Sequence, residues 1–294
     1  MKTQLDKRTL VAAAVTLVCW ASAFAGIRAS LSAYTPGQIA LMRFLVASVV
    51  LAVYAVINRM PLPKKQDLGA IAIIGVLGIT AYHLLLNYGQ LTVTAGAASL
   101  LVNTTPVFTA LLAIAFLGER LSFRRWIGIA VSFTGAVVIT GGEAKGFSLD
   151  FGALLILLSA VSNSGWMILQ KPYLKKYSPL QLTTYSIWAG TLFLTPFLPS
   201  LLQALPTAPI NATIGVIYLG VFPSAIAYAT WAYVLAQIPA SRAATLIYVV
   251  PVLAIFIAWV WLAEVPTILS LIGGAIVLSG VVLVNTGRRA EKPT

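Results

Sequence analysis

The sequence predicts an all-α integral membrane protein, with ten transmembrane helices arranged as two inverted five-helix repeats and both termini in the cytoplasm. Three observations carry that expectation. Of the 294 residues, 60% are hydrophobic and only 9% charged, with a mean hydropathy of +0.94, whereas a soluble domain averages roughly 25% charged residues. Apolar runs of about 20 residues, the length that crosses ~30 Å of hydrocarbon, recur ten times. Basic residues collect on alternate connections between those runs. Composition alone excludes a soluble two-domain enzyme, a disordered chain and a disulfide-rich secreted scaffold. The single cysteine, Cys19, lies in an apolar run and leaves no internal disulfide or thiolate metal cluster.

The spans are expected in order along the chain. Segment 9–28 follows a basic start (Lys2, Lys7, Arg8) and holds Ala21-Ser22-Ala23, which mimics a signal cleavage site. Trp20 and Phe24 crowd that site and the apolar stretch runs long, so it is read as a retained helix. Pro36 precedes segment 38–57, and Pro61 and Pro63 precede 68–88. Segments 95–117 and 125–142 follow, and Gly141 and Gly142 close the first half at residue 142. The second half, 143–294, holds 151–170, then 180–202 after Pro179 and 211–235 after Pro206 and Pro209. Pro239 precedes 241–262, and Pro266 precedes 267–286. No connection is long enough for a soluble domain.

With the N-terminus placed inside, the cytoplasmic ends and loops receive Lys2, Lys7, Arg8, Arg59, Lys64, Lys65, Arg120, Arg124, Arg125, Lys171, Lys175, Lys176, Arg242, Arg288, Arg289 and Lys292. These are 16 of the 19 Lys and Arg; Arg28, Arg43 and Lys145 remain. The bias holds loop by loop and predicts both termini in the cytoplasm. A miscount by one helix would scramble it. The net charge of +12 is then a membrane-surface property. Nucleic acid is not an expected partner, because no basic stripe is interleaved with exposed aromatics.

The halves resemble each other. Laying Pro106 on Pro251 brings 99–119 (SLLVNTTPVFTALLAIAFLGE) onto 244–264 (ATLIYVVPVLAIFIAWVWLAE). Glu119 then meets Glu264, Gly128 meets Gly273, Gly135 meets Gly280, Gly75 meets Gly220 and Tyr88 meets Tyr233. In the first two helices of each half Pro36 meets Pro179 and Gln38 meets Gln181. Five helices per half is an odd number, so the second half must enter the membrane upside down, an arrangement suited to alternating access about a midplane site.

The doubled pattern Pro106…Gly118-Glu119…Gly128…Gly135 and Pro251…Glu264…Gly273…Gly280 resembles the drug/metabolite transporter superfamily in its EamA branch, over essentially the whole chain. Within that branch the chain is similar to the aromatic amino-acid exporters of bacterial inner membranes. The resemblance implies a multi-pass inner-membrane transporter with ten helices. One departure is visible: Ala263 stands where the first half has Gly118.

Polar groups in hydrocarbon cost free energy unless they are partnered or face water. Under the repeat Trp20 maps to Asn163, His83 to Tyr228 and Asn103 to Tyr248. A position facing the central axis has reason to stay polar or aromatic in both copies; a lipid-facing position has none. His83 and Asn87 share a helix face, as do Ser99 and Asn103. The expected cavity is therefore lined by Trp20, His83, Asn87, Ser99, Asn103, Asn163, Trp166, Tyr228 and Tyr248. Its chemistry suits molecules with an apolar side chain and a polar backbone end. Pro106 and Pro251 interrupt helices four and nine at equivalent depths and are the candidate hinges. For Arg43, about one turn into its helix near the external face, two readings stand: snorkelling outward, or meeting a carboxylate in an exit vestibule.

All seven acids lie in loops, tails or helix ends. With one histidine and no acid at mid-depth, membrane proteolysis, metal catalysis and ATP-driven chemistry are not supported. No catalytic residue, metal or cofactor is expected. The expected function is export of neutral and aromatic amino acids and related metabolites, by facilitated alternating access, from a monomer in the bilayer. The alternative keeps the fold and changes the cargo to a nucleoside, another small metabolite or an amphipathic drug, with proton coupling through His83.

Overall fold

The computed structural model describes residues 6–118, 121–143, 150–238 and 240–286. Among them every regular element is helical, and ten helical stretches are long and apolar enough to cross a membrane. These are span 1 (Lys7–Ser30), span 2 (Pro36–Ile57), span 3 (Lys65–Gly89), span 4 (Ala95–Phe116) and span 5 (Phe123–Gly142). Span 6 (Phe151–Leu169), span 7 (Pro179–Ala204), span 8 (Ile210–Gln237), span 9 (Thr245–Leu262) and span 10 (Ile268–Thr286) complete the set. The count and order agree with the sequence. Ala21, Ser22 and Ala23 are buried inside the unbroken span 1, where Ser22 Oγ bonds the Tyr218 hydroxyl at 2.7 Å.

Capping explains why the Pro-x-Gln pattern occurs twice. Before span 2 the Thr35 backbone N–H donates to Gln38 Oε1 at 2.9 Å, while the Thr35 hydroxyl accepts from the Gln38 backbone N–H. Before span 7 Ser178 and Gln181 make the same reciprocal pair. Each box satisfies two backbone groups that the helix leaves open, and the proline between them pre-sets the first turn. Spans 4 and 9 are closed by Gly118 and Ala263, which both take the left-handed conformation, with φ of 62° and 53°. Ala263, the one departure from the doubled motif, thus keeps the glycine geometry at a cost of roughly 1–2 kcal/mol.

Besides span 7, which a 3-10 turn at Thr195–Phe197 interrupts around Pro196, four spans are irregular along their length. Span 4 breaks between the helices Ala95–Val102 and Thr105–Leu117, and span 9 breaks before the helix Val250–Leu262. The breaks fall just ahead of Pro106 and Pro251, which sit in the first turn of the continuing helices rather than at a kink within one. A proline has no N–H for the carbonyl four residues back and disfavours helix in the residue before it. Thr105 Oγ1 donates to the freed Val102 carbonyl at 2.6 Å. Spans 3 and 8 each carry a π turn, Val76–Ala81 and Phe222–Ile226. In span 8 Pro223 accounts for it. In span 3 a neighbour does: Ser162 Oγ donates to the Leu77 carbonyl at 2.8 Å.

Glycines set the closest crossings. A Cβ on Gly75 in span 3 would lie 2.6 Å from the Ser186 carbonyl of span 7, and one on Gly220 in span 8 would lie 2.6 Å from the Arg43 carbonyl of span 2. Spans 5 and 10 meet backbone to backbone: a Cβ on Gly128 would be 2.7 Å from the Gly280 carbonyl, and one on Gly135 2.6 Å from that of Gly273. Small residues at such crossings are what let helices pack in lipid, where no hydrophobic force drives them together.

Candidate functional site

The crossing at Gly220 delivers span 8 to span 2, and the π turn that follows it aims Ser224 at Arg43. The Arg43 Nε donates to Ser224 Oγ at 2.5 Å. Its Nη1 lies 3.5 Å from His83 Nδ1, and its guanidinium carbon is 5.3 Å from the centre of the Phe44 ring. Arg43 is only 3% exposed, as is His83. The imidazole is wedged between Phe44 and Tyr82, each with ring centres 4.6 Å away. Its Nε2 is buried with no hydrogen-bond partner.

His83 and Tyr228 follow their π turns by the same two residues. Tyr228 and Tyr82 both lie within electrostatic reach of the guanidinium. From Tyr228 an aromatic wall continues: its ring meets Trp20 edge-on at 5.7 Å, and Trp20 meets Trp231 at 5.3 Å. The cluster draws on spans 1, 2, 3 and 8, so both halves of the chain contribute. Aromatic faces of this kind take apolar rings, and offset or edge contacts add about 0.5–1.5 kcal/mol beyond burial.

The other expected cavity residues divide. Trp166 lies under the span 3 π turn, where a Cβ on Gly78 would be 2.3 Å from its ring, and its Nε1 is buried without a partner. Asn87 Nδ2 donates to the Pro36 carbonyl at 3.0 Å, leaving Oδ1 buried and unpartnered. Asn163 is half-buried. Ser99 and Asn103 bond within their own helix, Ser99 Oγ to the Gly96 carbonyl at 2.6 Å and Asn103 Nδ2 to the Ser99 carbonyl at 2.9 Å. The Tyr248 hydroxyl accepts from Asn285 on span 10. Arg43, Ser224, Tyr82, Phe44 and Trp231 join the site without having been singled out for it by the repeat. For Arg43, its depth in span 2 without a nearby acid was the available signal.

Two ion pairs tie the halves near the span ends. Arg28 Nε bonds Glu264 Oε1 at 3.0 Å, while Glu264 Oε2 accepts from the Ala95 backbone N–H at 2.9 Å. At the other end Lys176 Nζ and the Tyr177 hydroxyl both donate to Asp67, at 2.9 and 2.7 Å. The Asp67 carboxylate, accepting that bond, holds the Lys176 ammonium above the ordinary lysine range. Among the described residues no three His, Cys, Asp or Glu side chains gather as metal ligands. Glu119 lies outside the described residues.

Comparison with known proteins gives the site its context. The model of the family described as EamA-like transporter family matches residues 7–141 and 150–286. An uncharacterized transporter of Bacillus subtilis, YdfC, is 44% identical over 262 residues, covering 89% of this chain and 86% of its own. A protein of Streptantibioticus cattleyicolor described as a probable terminal-alkyne amino-acid exporter is 42% identical over 285 residues, covering 95% of each chain. A solved crystal structure superimposes with a TM-score of 0.62 at 19% identity, over 94% of this chain and 95% of that one, and so shares the fold.

Proposed function

Since the chain belongs to the EamA-like transporter family, and is a multi-pass membrane protein with ten apolar spans, we propose that it exports neutral and aromatic amino acids and related metabolites across a bacterial inner membrane. The observation that carries this reading is the central cluster: an aromatic wall of Trp20, Tyr228 and Trp231 adjoining buried polar groups with open hydrogen-bonding capacity, His83 Nε2 foremost. Rings of the cargo lie on the wall, while His83 and the amides bind its polar end. The relative named as a probable amino-acid exporter, 42% identical over 95% of the chain, supports the cargo class.

The proposed mechanism rocks two inverted halves, 1–142 and 143–294, about that cluster, with both termini cytoplasmic and one chain sufficing. Its support is that matched positions make matched contacts with the halves exchanged. Gly75 sits on Ser186, and its repeat mate Gly220 sits on Arg43, the repeat mate of Ser186. Likewise Gly128 on Gly280 exchanges into Gly273 on Gly135. Without an acid at mid-depth to exchange protons, the transport is facilitated, and the cargo leaves chemically unchanged.

The test is flux of radiolabelled phenylalanine into liposomes holding the purified protein, with and without a pH gradient. The expected result is uptake above empty liposomes, insensitive to the gradient and lowered at least about tenfold in Trp20→Ala and His83→Ala, a loss of about 1.4 kcal/mol. No amino-acid flux above empty vesicles overturns the reading. Flux that follows the pH gradient and loses that dependence in His83→Ala favours the proton-coupled alternative.

A further inference from the structure

Resting on the exporter reading, we propose that Arg43, oriented by Ser224, is the anchor for a carboxylate on the cargo, so that the site selects organic acids carrying an apolar or aromatic side chain. A guanidinium has five N–H donors in a planar fork. Ser224 takes the one on Nε, and His83 Nδ1 engages at most one on Nη1. Among the described residues nothing accepts from Nη2. The donors on that side of the fork are therefore unspent, at a side chain only 3% exposed.

Charge makes the case stronger than hydrogen bonding alone. The ion pairs among the described residues, Arg28–Glu264 and Lys176–Asp67, lie elsewhere. The seven acids of the sequence stand at positions 6, 67, 119, 143, 150, 264 and 291, none of them in the middle of a span. Taking an ion out of water is costly even after relaxation. The contacts Arg43 makes, to the Ser224 hydroxyl, the His83 ring and the Phe44 ring, include no acid. Its charge is therefore left for an anion to balance.

The geometry also selects the anion. A carboxylate accepts two parallel N–H bonds from the fork of an arginine. A phosphate, carrying more charge, calls for several cations, and Arg43 is the one Lys or Arg described deep inside a span. Tyr228 follows Ser224, the partner of Arg43, by four residues on span 8 and meets the Trp20 ring. A cargo held by its carboxylate there lays its side chain on the aromatic wall.

Tryptophan fluorescence of the purified full chain reads binding apart from flux. Four probes share one ring: phenylalanine, phenylacetate, phenylalaninamide and phenethylamine. The two acids are expected to bind roughly tenfold to a hundredfold tighter than the amide and the amine, the span that 1.5–3 kcal/mol converts to. Arg43→Gln removes that preference, and Ser224→Ala reduces it with the charge retained. If Arg43→Gln does not fold, the ranking of the four probes on the wild type and Ser224→Ala decides. Equal binding of all four probes, or binding of none, overturns the proposal. Acid-selective binding without flux sinks the exporter reading and leaves the anchor standing; amino-acid flux with equal binding of acid and amine sinks the anchor alone.

Discussion

In span 2, Arg43 occupies the eighth position counted from Pro36, and the sequence alone left open whether it snorkels toward the nearer helix end. The structure turns it inward instead, because its partner Ser224 stands 181 residues away on a different helix. Nothing local to Arg43 encodes that approach; it follows from Gly220 and the π turn of span 8. His83, Trp20 and Tyr228 were legible for the opposite reason, since the repeat gives each a counterpart that stays polar or aromatic. Asn103 and Tyr248 pass the same filter, yet one bonds its own helix and the other meets Asn285. A repeat identifies positions near the axis and says nothing of local hydrogen-bond competition. On the proposed reading the wall acts through rings rather than hydroxyls. Tyr228→Phe is therefore expected to keep phenylalanine flux within about twofold of wild type, whereas Tyr228→Leu lowers it by up to roughly tenfold, the upper end of an aromatic pair's contribution. Equal loss in both variants would assign the role to the hydroxyl.

Helices as elements were the most legible feature, because a run of about 20 apolar residues has few other fates. Their ends were readable too: the Pro-x-Gln pairs become capping boxes, and Gly118 with Ala263 become left-handed stops. The interruptions inside the spans were only partly readable. Pro106 and Pro251 mark the breaks in spans 4 and 9, but the π turn of span 3 contains no proline and depends on Ser162 from span 6. Crossings between elements yield a prediction of opposite signs within one helix. Gly→Ala inside a helix ordinarily stabilises by about 0.5–1 kcal/mol. Gly141→Ala in span 5, with nothing within 4 Å of the added Cβ, is expected to leave the melting temperature equal or higher. Gly135→Ala would press a Cβ to 2.6 Å from the Gly273 backbone, which cannot yield cheaply, and is expected to cost about 1–3 kcal/mol. Thermal unfolding of the purified variants checks both, and a Gly135→Ala protein as stable as wild type would show that spans 5 and 10 do not cross there.

For the molecule as a whole, the reading is of two five-helix halves that meet at an aromatic and cationic centre and open it to each side in turn. The doubled motif carried that idea in the sequence; the contacts repeated with the halves exchanged support it in three dimensions. Ion pairs between halves near both sets of span ends, Arg28 with Glu264 and Lys176 with Asp67, give each end a polar closure. Asn163, the half-buried repeat mate of Trp20, offers a place from which to watch such opening. The most direct measurement is labelling of Asn163→Cys, in a Cys19→Ser background that retains phenylalanine flux, by a membrane-impermeant thiol reagent applied to right-side-out and to inside-out vesicles. Labelling from both sides, slowed by phenylalanine in both cases, is the predicted result. Labelling from one side alone, or from neither, would contradict a centre that is alternately exposed.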